Sequence, residues 1–229
     1  MCHWLIYRYK KMRKLLLTLA IIAMSTVSWS QNVKVDGCKF EIKHGDLTFY
    51  LDSDTAAYVS VHLVSYAELL KIDGERSDKW HREWPGGAYT KDCLFKTGFD
   101  LGHLTPSNIT SYDDTLNYHS FSLFNQAPQL AAFNRGKWAQ LEKNVILDLK
   151  KKKEDAAVIT GVIYDKNAKK VAGTRVKIPT TYYKIVATKS GTVCYLGSNV
   201  NGLVTQTDLK TILDLAKNGG TNLGISVKF

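Results

Sequence analysis

Cysteine is scarce in this 229-residue chain. There are four, and their spacing matches no zinc motif, so a cysteine-built metal centre is excluded as the organising element. No internal repeat and no low-complexity linker interrupts the chain, which excludes a solenoid and leaves no compositional boundary between domains. An apolar run of membrane-spanning length, about 20 residues, is also missing. Residues 15–27 come nearest, and they suit the apolar core of a secretory signal. Acidic residues are in deficit, 21 against 31 basic, for a formal net charge of +10.

Part of that charge belongs to the N-terminus. Arg8, Lys10, Lys11, Arg13 and Lys14 make a positive start, and Ser28-Trp29-Ser30 offers a small-x-small cleavage site before Gln31. Cys2 lacks the surroundings of a lipid attachment site. The reading is a signal peptide over residues 1–30 and one domain over residues 31–229. The protein is then exported, to the periplasm or beyond, with no stable membrane association after cleavage. The leader holds five basic residues and no acidic one, so the remainder carries a net charge of +5. That balance leans towards a polyanionic partner and also fits an ordinary soluble protein. Export permits one disulfide among Cys38, Cys93 and Cys194, with one thiol left over, and buried small thiols fit the sequence as well.

Patterning predicts an α+β domain. Residues 38–51 read as a strand pair around a His44-Gly45-Asp46 turn, and residues 57–70 open as a strand. Residues 74–90 form a long polar loop rich in tryptophan and glycine, with Arg76, Trp80, His81, Arg82 and Trp84; such loops are often functional. Residues 117–125 read as a strand or buried turn. Residues 134–149 are the clearest helix, with Trp138, Leu141, Val145 and Leu149 on one stripe and a lysine run at the C-terminus. Strands follow at 156–164, 177–187 and 192–196, then an amphipathic helix at 207–218 ended by Gly219-Gly220. No regular βαβ alternation is present, which argues against a parallel sheet.

Three positions carry chemistry. His103 follows Gly102, where the backbone is free to turn or to approach a ligand closely. An imidazole there can take a proton from water near neutral pH, or serve the structure. Asp100, two residues earlier, can orient the loop or ring, or cap a turn. Asn134 and Glu142 lie eight residues apart, about 800° of helix, and so share one side two turns apart. An amide oxygen can bind a hard cation directly, and a carboxylate two turns on can hold its waters, the arrangement magnesium favours. Taken singly, Asn134 is also a helix cap and Glu142 an exposed helix charge.

Together these segments resemble the DNA/RNA non-specific endonucleases of the ββα-metal type. The matching string is Asp100-Leu101-Gly102-His103, then Asn125-Gln126-Ala127-Pro128-Gln129, then Asn134 with Trp138, Leu141 and Glu142, with the later strands and the Arg76 loop in order around them. The resemblance implies a ββα-metal (His-Me finger) nuclease fold, a central antiparallel sheet flanked by helices. It implies His103 as general base and Asn134 as the direct ligand of magnesium, or of manganese in its place. Glu142 would hold the cation's waters, Asn125 would support the site, and Asp100 and Gly102 would shape its strand. DNA and RNA would be substrates, met by Arg135, Trp80 and Arg82. The chain departs from the family at Leu101, where the pattern has Arg. Arg76, Arg82 or Arg135 would have to supply that charge. Two other readings follow from the departure: a module that binds nucleic acid without cutting it, and a phosphodiesterase for another phosphate ester.

Overall fold

A computed structural model describes residues 33–53, 56–83 and 92–228. Residues 1–30, read from the sequence as a leader with a cleavage site, and Trp84 lie outside the described residues. Among the described residues no helix is long and apolar enough to cross a membrane.

The centre is a seven-stranded antiparallel sheet. Its middle is set by two strands that are buried on both faces, β7 (Ala156–Ile163) and β8 (Thr181–Thr188). Beside β7 lie β4 (Ala56–Val64), β3 (Leu47–Ser53) and β2 (Phe40–His44); beside β8 lie β9 (Gly191–Ser198) and β10 (Val204–Thr207). Residues alternate between the two faces of each strand. On one face Val158, Val162, Tyr182 and Val186 meet Trp138 and the stripe Leu141, Val145 and Leu149 of a long helix, Ala139–Lys152. On the other, Ile159, Ile163, Tyr183 and Ile185 meet Ile212 and Ala216 of the helix Leu209–Asn218 and Ile225 of a small strand pair, β1 (Val33–Asp36) with β11 (Gly224–Val227). The α+β expectation of a central antiparallel sheet with flanking helices therefore holds.

The second layer of the first face carries the pocket. It contains β5 (Phe99–His103) paired antiparallel with β6 (Gln126–Leu130). In chain order its helices are α1 (Tyr66–Leu69), α2 (Ser107–Thr110), α3 (Asp114–Ser120) and α4, the long helix Ala139–Lys152; α5 is Leu209–Asn218. Two segments differ from the sequence reading. Residues 117–125 are not a strand; of the two readings the buried turn holds for their second half, since α3 ends at Ser120 and a buried 3₁₀ turn, Leu123–Asn125, leads into β6. The cause is Asp113, whose side chain accepts the Leu116 N–H at 2.8 Å and caps a helix through the aromatic run. Residues 65–69 leave the sheet because Ser65 and Glu68 make a reciprocal capping box. Cys38 and Cys194 are unbridged thiols, packed in or against the second face's core.

His62 of β4 is fully buried on the face toward α4, with Nε2 3.1 Å from the Tyr112 hydroxyl. Burial pushes its pKa down to about 3. A depressed pKa contributes stability that is complete above the ordinary value near 6.5 and is lost as pH falls from there toward 3. His62→Gln should therefore flatten the pH dependence of unfolding free energy between pH 6.5 and 4 by up to about 1.4 kcal/mol per pH unit. Urea unfolding of both proteins across that range measures it, and an unchanged slope contradicts the assignment.

Candidate active site

One pocket gathers most of the sequence-derived residues. It is lined by Arg76, Trp80, Asp100, Leu101, His103, Asn134, Arg135 and Glu142, among others. His103 ends strand β5 rather than sitting on a turn. Gly102 matters through close approach: a Cβ there would stand 2.6 Å from Cβ of Gln129, so any side chain would push β5 off its neighbour. Asn134 and Glu142 do not share one regular helix. A single turn, Ala131–Phe133, runs into a π-helical turn, Asn134–Trp138, and only then into α4; Gly136 departs from helical geometry at φ −104°, ψ −109°. Such π-turns recur at functional sites because they re-aim side chains out of the regular spiral.

Asp100 joins the two halves. A carboxylate can only accept, so Asn134 meets it through its amide NH2, with Nδ2 donating to Oδ2 at 2.8 Å. The Asn134 carbonyl oxygen Oδ1 is thereby left as an acceptor for a cation. Arg135 donates to the same carboxylate from Nε at 2.9 Å and Nη2 at 2.6 Å. The charge of Arg135 is thus engaged with Asp100, although its side chain remains 74 % exposed.

His103 lies among aromatic rings. Trp80 is tilted against it at 5.1 Å between centroids and Phe121 meets it edge-on at 4.9 Å. Its Nε2 is buried and has no hydrogen-bond partner. Burial, reinforced by the Arg76 guanidinium, pushes the ring's pKa down to about 3, which favours the neutral imidazole. Arg76 reaches this wall from its loop. Its Nη1 donates to Ser107 Oγ at 3.0 Å, its Nε and Nη2 to Asp78, and the guanidinium stands over the Phe121 ring at 5.2 Å. Buried Asn117 ties that loop down: its Oδ1 accepts from Ser77 N–H at 2.7 Å, while Nδ2 donates to the Glu75 and Ser107 carbonyls.

Glu142 faces a buried lysine. Lys184, 1 % exposed on β8, holds its Nζ 3.7 Å from Glu142 Oε1, donates to Thr160 Oγ1 at 2.6 Å, and lies over the Trp138 ring at 5.2 Å. At 3.7 Å the contact is an ion pair, and Oε1 makes no hydrogen bond. Burial pushes the Glu142 carboxyl up to about 7 and the lysine down, and each charge opposes the other's shift. Sequence reasoning passed over Lys184, since a lysine in a strand carries no sign of burial.

Asn125 does not line the pocket. It is fully buried behind His103, where Oδ1 accepts the Thr105 N–H at 2.9 Å and Nδ2 donates to the carbonyls of Thr105 and Ser120. Its place is that of a positioning residue rather than one that meets substrate. Arg82 is exposed and is not among the pocket's lining residues. Leu101 turns into an apolar cluster with Trp80, Leu94, Phe99 and Ile178 at the pocket's edge.

Removing one partner of a buried ion pair leaves an uncompensated charge and costs about 3–5 kcal/mol. Lys184→Met should show that cost at pH 8, where Glu142 is ionised. The cost should shrink at pH 5, where a carboxyl with a pKa near 7 is neutral. Denaturant unfolding at the two pH values measures it, and an equal cost at both would detach Lys184 from Glu142.

The fold resembles the chain in "Crystal structure of the EndoG/EndoGI complex: Mechanism of EndoG inhibition", with a TM-score of 0.63 and 18 % sequence identity over 77 % of this chain and 83 % of that one. No curated protein matches at a significant level. The antiparallel β5–β6 pair and the π-turn leading into α4 follow one another as a ββα succession beside the pocket. The DNA/RNA non-specific endonuclease family matches residues 32–217, and the chain belongs to that family.

Proposed function

We propose that this protein is an exported, magnesium-dependent endonuclease that hydrolyses phosphodiester bonds in DNA and RNA alike. The observation that carries the reading is the convergence, in one pocket, of an unpartnered neutral imidazole, an amide oxygen oriented by Asp100, a carboxylate and an arginine. The oxygens of Asn134 and Glu142 fit a hard cation. Asn134 would bind magnesium directly and Glu142 through water. The bound ion supplies Lewis-acid stabilisation of the phosphoryl and leaving oxygens.

His103 takes the proton from the attacking water. Burial, and after it the Arg76 guanidinium, makes it a weak base in the free protein; an anionic phosphodiester drawn to Arg76 relieves the second of these causes. Arg76 stands in for the charge that Leu101 lacks and steadies the charge that builds on phosphorus. Contacts of this kind read the phosphate and carry no sequence information, which suits a nuclease indifferent to base. Trp80 serves as the wall beside His103 rather than as a stacking platform. The leader over residues 1–30 supports export.

Purified protein should cut plasmid and RNA with magnesium, lose that activity with EDTA, and lose it in His103→Ala. Arg76→Ala should lower kcat/KM by roughly 10²–10³. No cleavage with any divalent ion sinks the proposal, and salt-dependent binding without cleavage favours the binding-module reading.

The acid limb of kcat/KM should belong to Glu142, not His103, since the imidazole stays neutral to about pH 3 while the carboxyl titrates near 7. A cation favours the carboxylate, so the limb should lie near pH 7 at limiting magnesium and move to lower pH as magnesium saturates. A limb that ignores magnesium, or that persists unchanged in Glu142→Gln, contradicts this assignment.

A further inference from the structure

Away from the His103 pocket, three histidines converge on one carboxylate. Glu83 Oε2 meets His44 Nε2 at 3.0 Å, and Oε1 meets His81 Nε2 at 3.1 Å and His119 Nδ1 at 3.2 Å. His44 ends β2, His81 and Glu83 belong to the loop that carries Arg76, and His119 lies on α3. None of the four lines the active-site pocket.

His81 shows what the cluster requires. Its Nδ1 lies 3.0 Å from the Lys79 carbonyl, which can only accept, so Nδ1 carries the hydrogen. A neutral His81 then turns a bare lone pair at Nε2 toward Glu83 Oε1, also an acceptor, at 3.1 Å. Two acceptors at that distance attract only through a cation, either a ring proton or a metal ion. A ring whose far N–H is held by a backbone carbonyl is also the usual setting of a metal-ligating imidazole.

We propose that His44, Glu83 and His119 form a site for a zinc-class divalent ion, with His81 held against its carboxylate. Among the described residues, the donor atoms of His44, Glu83 and His119 all lie within 4.8 Å of one another. A tetrahedral ion with bonds of about 2.0–2.1 Å holds its ligands about 3.3 Å apart. The contacts of 3.0 to 3.2 Å around Glu83 match that spacing. Imidazole-rich donors select zinc, copper or nickel over magnesium, which separates this site chemically from the oxygens of Asn134 and Glu142. The His44 and His119 rings stack at 3.6 Å and 12°, so shared coordination turns one imidazole about its Cβ–Cγ bond until both lone pairs meet. A cleft bounded by His44, Asp46, Asp113 and His119 offers the ion an approach lined with carboxylates. The ion would clip the Arg76 loop to the sheet edge and to α3.

The test is metal retention by the full chain. Zinc is added in the presence of excess magnesium, and the protein is dialysed against magnesium alone. The expected result is about one zinc per chain in the wild type and less than a tenth of that in a His44→Gln, His119→Gln double variant whose circular dichroism is unchanged. Cobalt gives a second readout: a tetrahedral visible absorption in the wild type that is absent in Glu83→Gln. No zinc in the wild type, or equal zinc in the wild type and the double variant, overturns the proposal. So does an absence of zinc binding together with an unfolding midpoint that rises from pH 7 to 5.5, which would make ring protons the cation.

Discussion

The carboxylate of Asp100 accepts from Asn134 and twice from Arg135, and those three hydrogen bonds fasten strand β5 to the π-turn ahead of α4. Because the acceptor is ionic and the donor an amide NH2, the orientation of Asn134 follows from valence rather than from packing. One contact therefore sets two things: the distance between the strand that ends in His103 and the turn that begins with Asn134, and the direction in which the amide oxygen points. The π-turn then gives Glu142 its approach to the same space, which a regular helix from residue 134 would not have aimed in the same way.

Beneath the pocket the sheet face is polar where most of it is apolar. Ser60, Thr160 and Lys184 lie side by side across β4, β7 and β8, each at most 1 % exposed. Ser60 is hydrogen-bonded to Thr105 at 2.7 Å, and Thr105 is clamped by Asn125 just past His103. Lys184 at the other end faces Glu142. Buried polar groups are costly unless partnered, so such a row specifies one arrangement of the layers above it. Its two ends sit by the strand end that carries His103 and by the Glu142 carboxylate, which joins the stiffness of the sheet to the geometry of the pocket.

Much of this was legible in the residues. The sheet strands at 156–164 and 177–187 declared themselves by apolar runs, and the α4 stripe by its three- and four-residue steps. The ordered motif brought His103, Asn134, Glu142, Asp100 and Arg76 to one pocket. What stayed hidden has physical reasons. A π-turn has no periodicity of its own in five residues. The α3 helix was obscured because aromatic burial, shared by strands and helices, outweighed the single cap at Asp113. Lys184 reads as a solvent-facing strand residue until the register pairs it with Thr160. Asn125 reads as a supporting residue, but the sequence does not show that its three side-chain hydrogen bonds run to the backbone of Thr105 and Ser120. The cluster around Glu83 draws on residues separated by up to 75 positions, His44 to His119, and no local pattern joins them.

The substitution at Leu101 moves a burden from strand to loop. A guanidinium on β5 would be placed by the sheet itself, as His103 is. Leu101 instead closes an apolar cluster with Trp80 and Phe99, and the cation beside His103 is Arg76, carried on a segment without regular structure. A loop residue needs its own restraints, and this loop has several. Asn117 holds its backbone and carbonyl at residues 75 and 77, Ser107 and Phe121 hold the guanidinium, and the backbone of His81 pairs with Phe121 and Leu123. The Glu83 cluster is the last of these ties along the described part of the loop. In a mechanism that relies on Arg76 for charge stabilisation, the ordering of that loop becomes part of the catalytic machinery, and a metal clip at its end would act on turnover without touching the substrate.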